Sequence, residues 1–144
     1  MFEWFIGIAF GMLIHEGAHQ IVADVNGGRM EWTSNGEWIY RGKNAKAVAL
    51  AGLASQAVTS EILLTRDHQT NFTKGWLAFN VGNTVSYSVK NEITPGGYGD
   101  LGNFTRDEAR NIEIVLLAHS ASVAHRLKWQ FLPTRNGIMF RKEL

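Results

Sequence analysis

Five residues near the amino terminus, His15-Glu16-Gly17-Ala18-His19, form the pattern H-E-x-x-H inside a stretch that reads as helix. Two histidines four apart project from one face of a 3.6-residue helix, so both imidazoles can reach a single ion. Zinc suits such a pair, because two imidazoles and one carboxylate leave a fourth position for water. Glu16, beside the first histidine, can take a proton from that water while the metal polarises a carbonyl. The chemistry this spacing supports is metal-assisted amide hydrolysis. At this chain's own His and Glu frequencies the pattern arises by chance roughly once in a hundred sequences, and the apolar, helical flanks favour a metal site over two histidines on a solvated face.

A third ligand must be His, Asp or Glu, because the chain has no cysteine. The extended pattern H-E-x-x-H-x-x-G-x-x-H is absent, since Val22 and Val25 stand where Gly and His are required. Two carboxylates are candidates. Glu61 is the one ionisable residue between Lys46 and Arg66 and would be the ligand of a thermolysin-like zincin; otherwise it pairs with Arg66 near a helix end. Asp100 follows Thr94-Pro95-Gly96-Gly97-Tyr98-Gly99, a loop free to aim a carboxylate, although Asp is also an ordinary turn residue. His119 and His125, six apart, do not share a helix face; one of them could hydrogen-bond a ligand or an oxyanion, against the alternative of solvated or core-satisfied histidines, while His68 is expected to be solvated.

The elements that must position these groups are mostly helical. Phe2 to about Val25 reads as helix one, stopped by Asn26-Gly27-Gly28. Arg29 to Tyr40 alternates around Ser34-Asn35-Gly36 and predicts a β-hairpin. Asn44 to Thr65 is an Ala- and Leu-rich second helix that Asn44 could cap. A third helix is expected over about 72 to 89 despite Gly75 and Gly82. Thr105-Arg106-Asp107-Glu108 has the form of a capping box opening a fourth helix to about Trp129, and the tail beyond Pro133 ends basic (Arg135, Arg141, Lys142). The expected fold is mainly α: about four helices in a bundle, with a small β-hairpin between helices one and two, in a single domain over residues 1–144. That hairpin, lying between the site segments, could take an extended substrate by strand addition.

The segments around the histidines resemble the site-2 protease family of zinc metalloproteases. His15-Glu16-Gly17-Ala18-His19 followed by Ala23 and Gly27 is similar to the family's H-E-x-x-H-x-x-x-A-x-x-x-G. Ala51-Gly52-Leu53-Ala54-Ser55-Gln56 is similar to its A-G-P-x-x-N stretch, with Leu53 for proline and Gln56 for asparagine. Asn91 to Gly102 resembles its N-x-x-P-x-x-x-D-G loop, with longer spacing and Leu101 after the aspartate. The resemblance implies that Asp100 is the third zinc ligand beside His15 and His19, that Glu16 is the general base, and that the chain is a minimal form of a membrane-embedded catalytic core. Gln56 would then be a candidate oxyanion or substrate-positioning donor.

Composition narrows the partners. Lys and Arg number 14 against 13 Asp and Glu, a formal charge of +1, so no global field draws nucleic acid. Hydrophobic residues at 45% suffice for a core. The apolar start carries Glu3 in place of a basic region and reads as a structural helix, not a signal peptide. No helix offers about 20 uninterrupted apolar residues, the mean hydropathy is −0.11, and basic residues flank helix two at both ends, fixing no orientation. Trp residues at 4, 32, 38, 76 and 129 suit either an interfacial belt or packing anchors. The expectation is a zinc metalloendopeptidase acting on a peptide or protein substrate, membrane segments included, at or in a membrane and otherwise cytoplasmic. The rivals are a soluble zincin with Glu61 as third ligand and a non-catalytic zinc-binding helical protein.

Overall fold

A computed structural model of the chain describes residues 1–34, 38–94, 99–127, 129–134 and 137–142, with Trp38 and everything beyond Leu127 described through the backbone alone. The Asn35-Gly36 turn, the Pro95 to Tyr98 part of the irregular loop and the side chains of the basic tail lie outside the described residues. Four helices carry the fold: α1 (Phe2–Val25), α2 (Ala45–Leu64), α3 (Asn71–Ile93) and α4 (Arg106–Arg126). Between α1 and α2 strands β1 (Arg29–Trp32) and β2 (Trp38–Arg41) pair antiparallel, Arg29 opposite Arg41 and Trp32 opposite Trp38. The mainly α expectation, with its hairpin between the first two helices, is met.

α1 buries one stripe, Gly7, Gly11, His15, His19 and Ala23, each four residues from the last. Such a row follows a single ridge of the helix. Its glycine end lets α3 come close: a Cβ on Gly7 would overlap the carbonyl of Phe72, and one on Gly75 the carbonyl of Trp4. Gly75 therefore stays within α3 in spite of its poor propensity, because only a bare backbone fits the crossing. α1 stops as its sequence predicts. Gly27 takes φ +67°, the Gly28 N–H donates to Ala23 O and the Gly27 N–H to Asp24 O, the bond pair of a Schellman motif.

Three boundaries differ from expectation. Asn44 precedes α2 but does not cap it with its side chain: it adopts a left-handed φ of 61°, and its amide donates to Asn26 Oδ1 at 2.7 Å. That bond ties the two ends of the hairpin segment together. α3 runs on to Ile93, capped at its start by Thr70. α4 opens on the expected Thr105–Glu108 capping box but ends at Arg126 instead of Trp129. Trp129 begins β3 (Trp129–Thr134), which pairs antiparallel with β4 (Gly137–Lys142) in a second hairpin closed by Thr134 opposite Gly137. The tail beyond Pro133, for which the sequence reading expects no element, contains Asn136-Gly137, a sequence pair that favours a hairpin turn.

Two apolar clusters hold the helices together. Leu63, Leu77, Val81, Val123 and Leu127 join α2, α3 and α4. Leu53, Leu101 and Ala109, with Tyr87 and Phe104 against them, anchor a short 3-10 turn, η1 (Gly99–Asn103), between α2 and α4. α1 and α2 are long and apolar enough to cross a membrane. The outer side of α1 exposes Phe2, Phe5, Met12, Leu13 and Ile21.

Candidate metal centre

His15 and His19 enter the bundle because they occupy the buried stripe of α1, where they are 2% and 4% exposed. Their Nε2 atoms stand 3.2 Å apart. Asp100 reaches both from the first turn of η1: Oδ2 lies 3.2 Å from His15 Nε2 and Oδ1 lies 3.3 Å from His19 Nε2. Among the described residues this is the group of metal-capable side chains whose donor atoms all fall within 4.8 Å of one another. About eighty residues separate Asp100 from the histidines. What delivers it is Leu101, 1% exposed, which plugs η1 into the Leu53–Ala109 cluster.

Two further features prepare the site. The Val48 carbonyl lies 2.7 Å from His19 Nδ1. A carbonyl only accepts, so Nδ1 carries a proton, and a neutral ring held this way would offer its Nε2 lone pair to a cation on the side of Asp100 and His15. Such an outer partner is the usual means of fixing a ligating histidine. Gly52, on the same face of α2 one turn beyond Val48, leaves the room the rings occupy. A Cβ there would stand 2.5 Å from His15 Cε1 and 2.7 Å from His15 Nε2, and closer still to His19 Nε2. The rings of Phe79 and Tyr87 lie 6.3 and 6.2 Å from that of His15, giving the pocket an aromatic wall.

The donor set fits a small cation. Ligands held about 2.0–2.1 Å from a tetrahedral ion stand about 3.3–3.4 Å from one another, close to the three separations seen here. Burial would by itself raise the pKa of Asp100, but the nearby His15 and His19 outweigh it and hold the carboxyl below its ordinary value. Asp100 is thus an anion. Its Oδ2, buried, lacks a hydrogen-bond donor of good geometry, as expected of an oxygen arranged for an ion. His15 Nδ1 is also buried and has no partner.

Glu16, half-buried, is near enough to the pair for its charge to act on His19. Glu61 is elsewhere. Its carboxylate receives Arg126 Nη1 at 2.8 and 3.0 Å and lies 3.0 Å from His119 Nε2, all on the α4 side. Neither the thermolysin-like ligand role nor a pairing with Arg66 is what this placement gives it. His119 is accordingly committed to Glu61, while His68 and His125 are exposed. Gln56 is 3% exposed but faces Asn80 and Ser120 between α2, α3 and α4 instead of joining the His–His–Asp group. Asn91, from the motif that resembles the family loop, donates to Glu113 Oε1 at 2.8 Å.

The sequence reading missed Gly52 as a spacer and Val48 as a hydrogen-bond acceptor. The first had a faint signal, a glycine amid an Ala-rich helix; a backbone carbonyl has none. No family model, no curated protein and no solved structure matches this chain.

Proposed function

We propose that this protein is a zinc-dependent endopeptidase, similar to the site-2 protease core, that works at or within a membrane. The observation that carries the reading is the mutual spacing of His15 Nε2, His19 Nε2 and an Asp100 carboxylate, at 3.2 to 3.3 Å in a buried pocket. The H-E-x-x-H order adds Glu16, which a purely structural ion would not need. The exposed apolar side of α1 and the two helices of spanning length support placement in a bilayer.

Zinc held by His15, His19 and Asp100 would supply a Lewis acid that polarises the scissile carbonyl and acidifies a water. The chain does the rest. Val48 holds the His19 tautomer, so the ring binds through Nε2 without rearrangement. Asp100 brings a negative charge that offsets part of the cation's charge in a poorly solvated pocket. Glu16 receives the proton released by the attacking water and returns it to the departing amine, the general acid–base role of its position. Gly52 keeps α2 out of the volume that the imidazoles occupy.

The test is elemental analysis of purified protein, paired with peptide cleavage. Wild type is expected to hold about one zinc and Asp100→Ala far less, with circular dichroism showing both folded. Glu16→Gln is expected to keep the zinc and lose hydrolysis. A folded wild type that takes up no zinc overturns the metal centre, and full activity in Glu16→Gln overturns the mechanism. Retained zinc with no cleavage of any peptide by wild type would favour the non-catalytic zinc-binding reading.

A further inference from the structure

One turn of α2 beyond Gly52, the bundle holds a second polar space, partly open to solvent, that the metal chemistry does not use. Gln56 and Ser60 line it from α2, Asn80 and Thr84 from α3, and His119 and Ser120 from α4. Except for His119 these side chains are 5% exposed or less. Asn80 Nδ2 is fully employed, donating to Ser60 Oγ at 2.9 Å and to the Gln56 carbonyl at 3.0 Å. This fixes the amide and turns Asn80 Oδ1 away from those partners, where it has none. Gln56 is left in the same state twice over, with both Oε1 and Nε2 buried and unpartnered.

Three orphaned polar atoms on two facing helices are far from the norm, since buried polar groups are paired almost without exception, by protein or by ordered water. The space between them offers about 10 Å³ to the centre of a water molecule, close to the smallest volume that holds one water. We infer that this cavity is a built hydration site occupied by a single long-lived water. The match is one of valence as well as size. A water donates twice and accepts up to twice, so one molecule can give its protons to Asn80 Oδ1 and Gln56 Oε1 and receive the Gln56 Nε2–H. Ser60, Thr84 and Ser120 hydroxyls stand around it as further partners. His119, its side chain a quarter exposed, lines the same space. The water so held lies about 6 Å along α2 from the glycine beneath the metal ligands, and its presence does not depend on what the metal site does.

Oxygen-17 magnetic relaxation dispersion counts waters with residence times beyond tumbling, and it reads no protein hydroxyl. Wild type in detergent micelles is compared with Gln56→Leu, which removes both Gln56 partners and fills the space with an apolar side chain. The expected result is one long-lived water fewer per molecule in the variant. Equal dispersion in two proteins of native circular dichroism overturns the inference, as does a wild type with no long-lived water. Should Gln56→Leu fail to fold, Ser120→Leu pushes an apolar side chain into the same cavity from α4 and is held to the same outcomes. The readout does not pass through zinc or cleavage, so its failure and failure of the metallopeptidase reading are distinguishable.

Discussion

Gly52→Ala adds one methyl group directly beneath the histidines, and its two consequences can be separated. The new carbon would stand 2.5 Å from His15 Cε1 and 2.7 Å from His15 Nε2, where carbon contacts settle at about 3.5–4.0 Å. The rings must retreat by about 1 Å or α2 must move away. Ligand distances at a metal tolerate about 0.2 Å, so the retreat exceeds the tolerance roughly fivefold. The expected loss of zinc affinity is at least that of removing an outer-shell partner, about 10- to 100-fold. The metal-free fold fares differently. Alanine gains about 1 kcal/mol of helix propensity over glycine, against about 1–3 kcal/mol for overpacking, leaving a net cost of about 0–2 kcal/mol. Zinc affinity is read by competition with a chromophoric chelator, and metal-free stability by denaturant unfolding. Gly82→Ala is the control: beyond its chain neighbours and the local backbone of α3, no heavy atom lies within 4 Å of its new carbon, so zinc binding should be unchanged and stability equal or higher. Wild-type zinc affinity in a folded Gly52→Ala protein would refute the placement of the imidazoles against α2.

Other perturbations probe the remaining parts. Glu61→Ala is expected to leave zinc content intact and to cost about 0–1 kcal/mol, the range of exposed ion pairs; a loss of zinc would return Glu61 to the ligand set. Gly75→Ala places a carbon against the Trp4 backbone carbonyl, which cannot swing aside, so a net loss of about 1–3 kcal/mol is expected in unfolding measurements. Glu108 is ion-paired with Lys46 and hydrogen-bonded to Thr105, which together lower its pKa to about 2. Since the folded value lies below the unfolded one, its contribution is fully present above about pH 4.5 and fades as pH falls toward 2. The Glu108 carboxyl carbon should titrate near 2 by NMR, and Lys46→Met should move that midpoint upward; an unmoved midpoint would refute the pairing.

The parts of this fold that are legible in sequence are those fixed by neighbours along the chain. Asn26-Gly27-Gly28 stops α1, and Thr105 with Glu108 starts α4, through bonds that span a few residues. Where a distant partner decides, local reasoning fails. Asn44 has the right side chain for a cap but gives its amide to Asn26. Gly75 argues against a helix until Trp4 is placed beside it. The local pattern carries the helix expectation to Trp129, whereas the pairing of β3 with β4 ends α4 at Arg126. The site divides the same way. His15 and His19 share a face by arithmetic alone, whereas Asp100 arrives through Leu101 and the α2–α4 packing, which no spacing encodes. From the residues alone Asp100 and Glu61 are both candidates, and it is the family resemblance that favours Asp100.

The buried row on α1 also has a bearing on how this chain can vary. Gly7 and Gly11 set how closely α3 crosses, and His15 and His19 are the next two steps of the same row. A single residue inserted between Gly11 and His15 would turn everything after it by about 100°, sending both imidazoles out of the interior while the glycines kept their crossing. Compensation within the helix would need a deletion nearby. Substitutions on the outward side meet no such constraint, so α1 is free to change its composition but not its count.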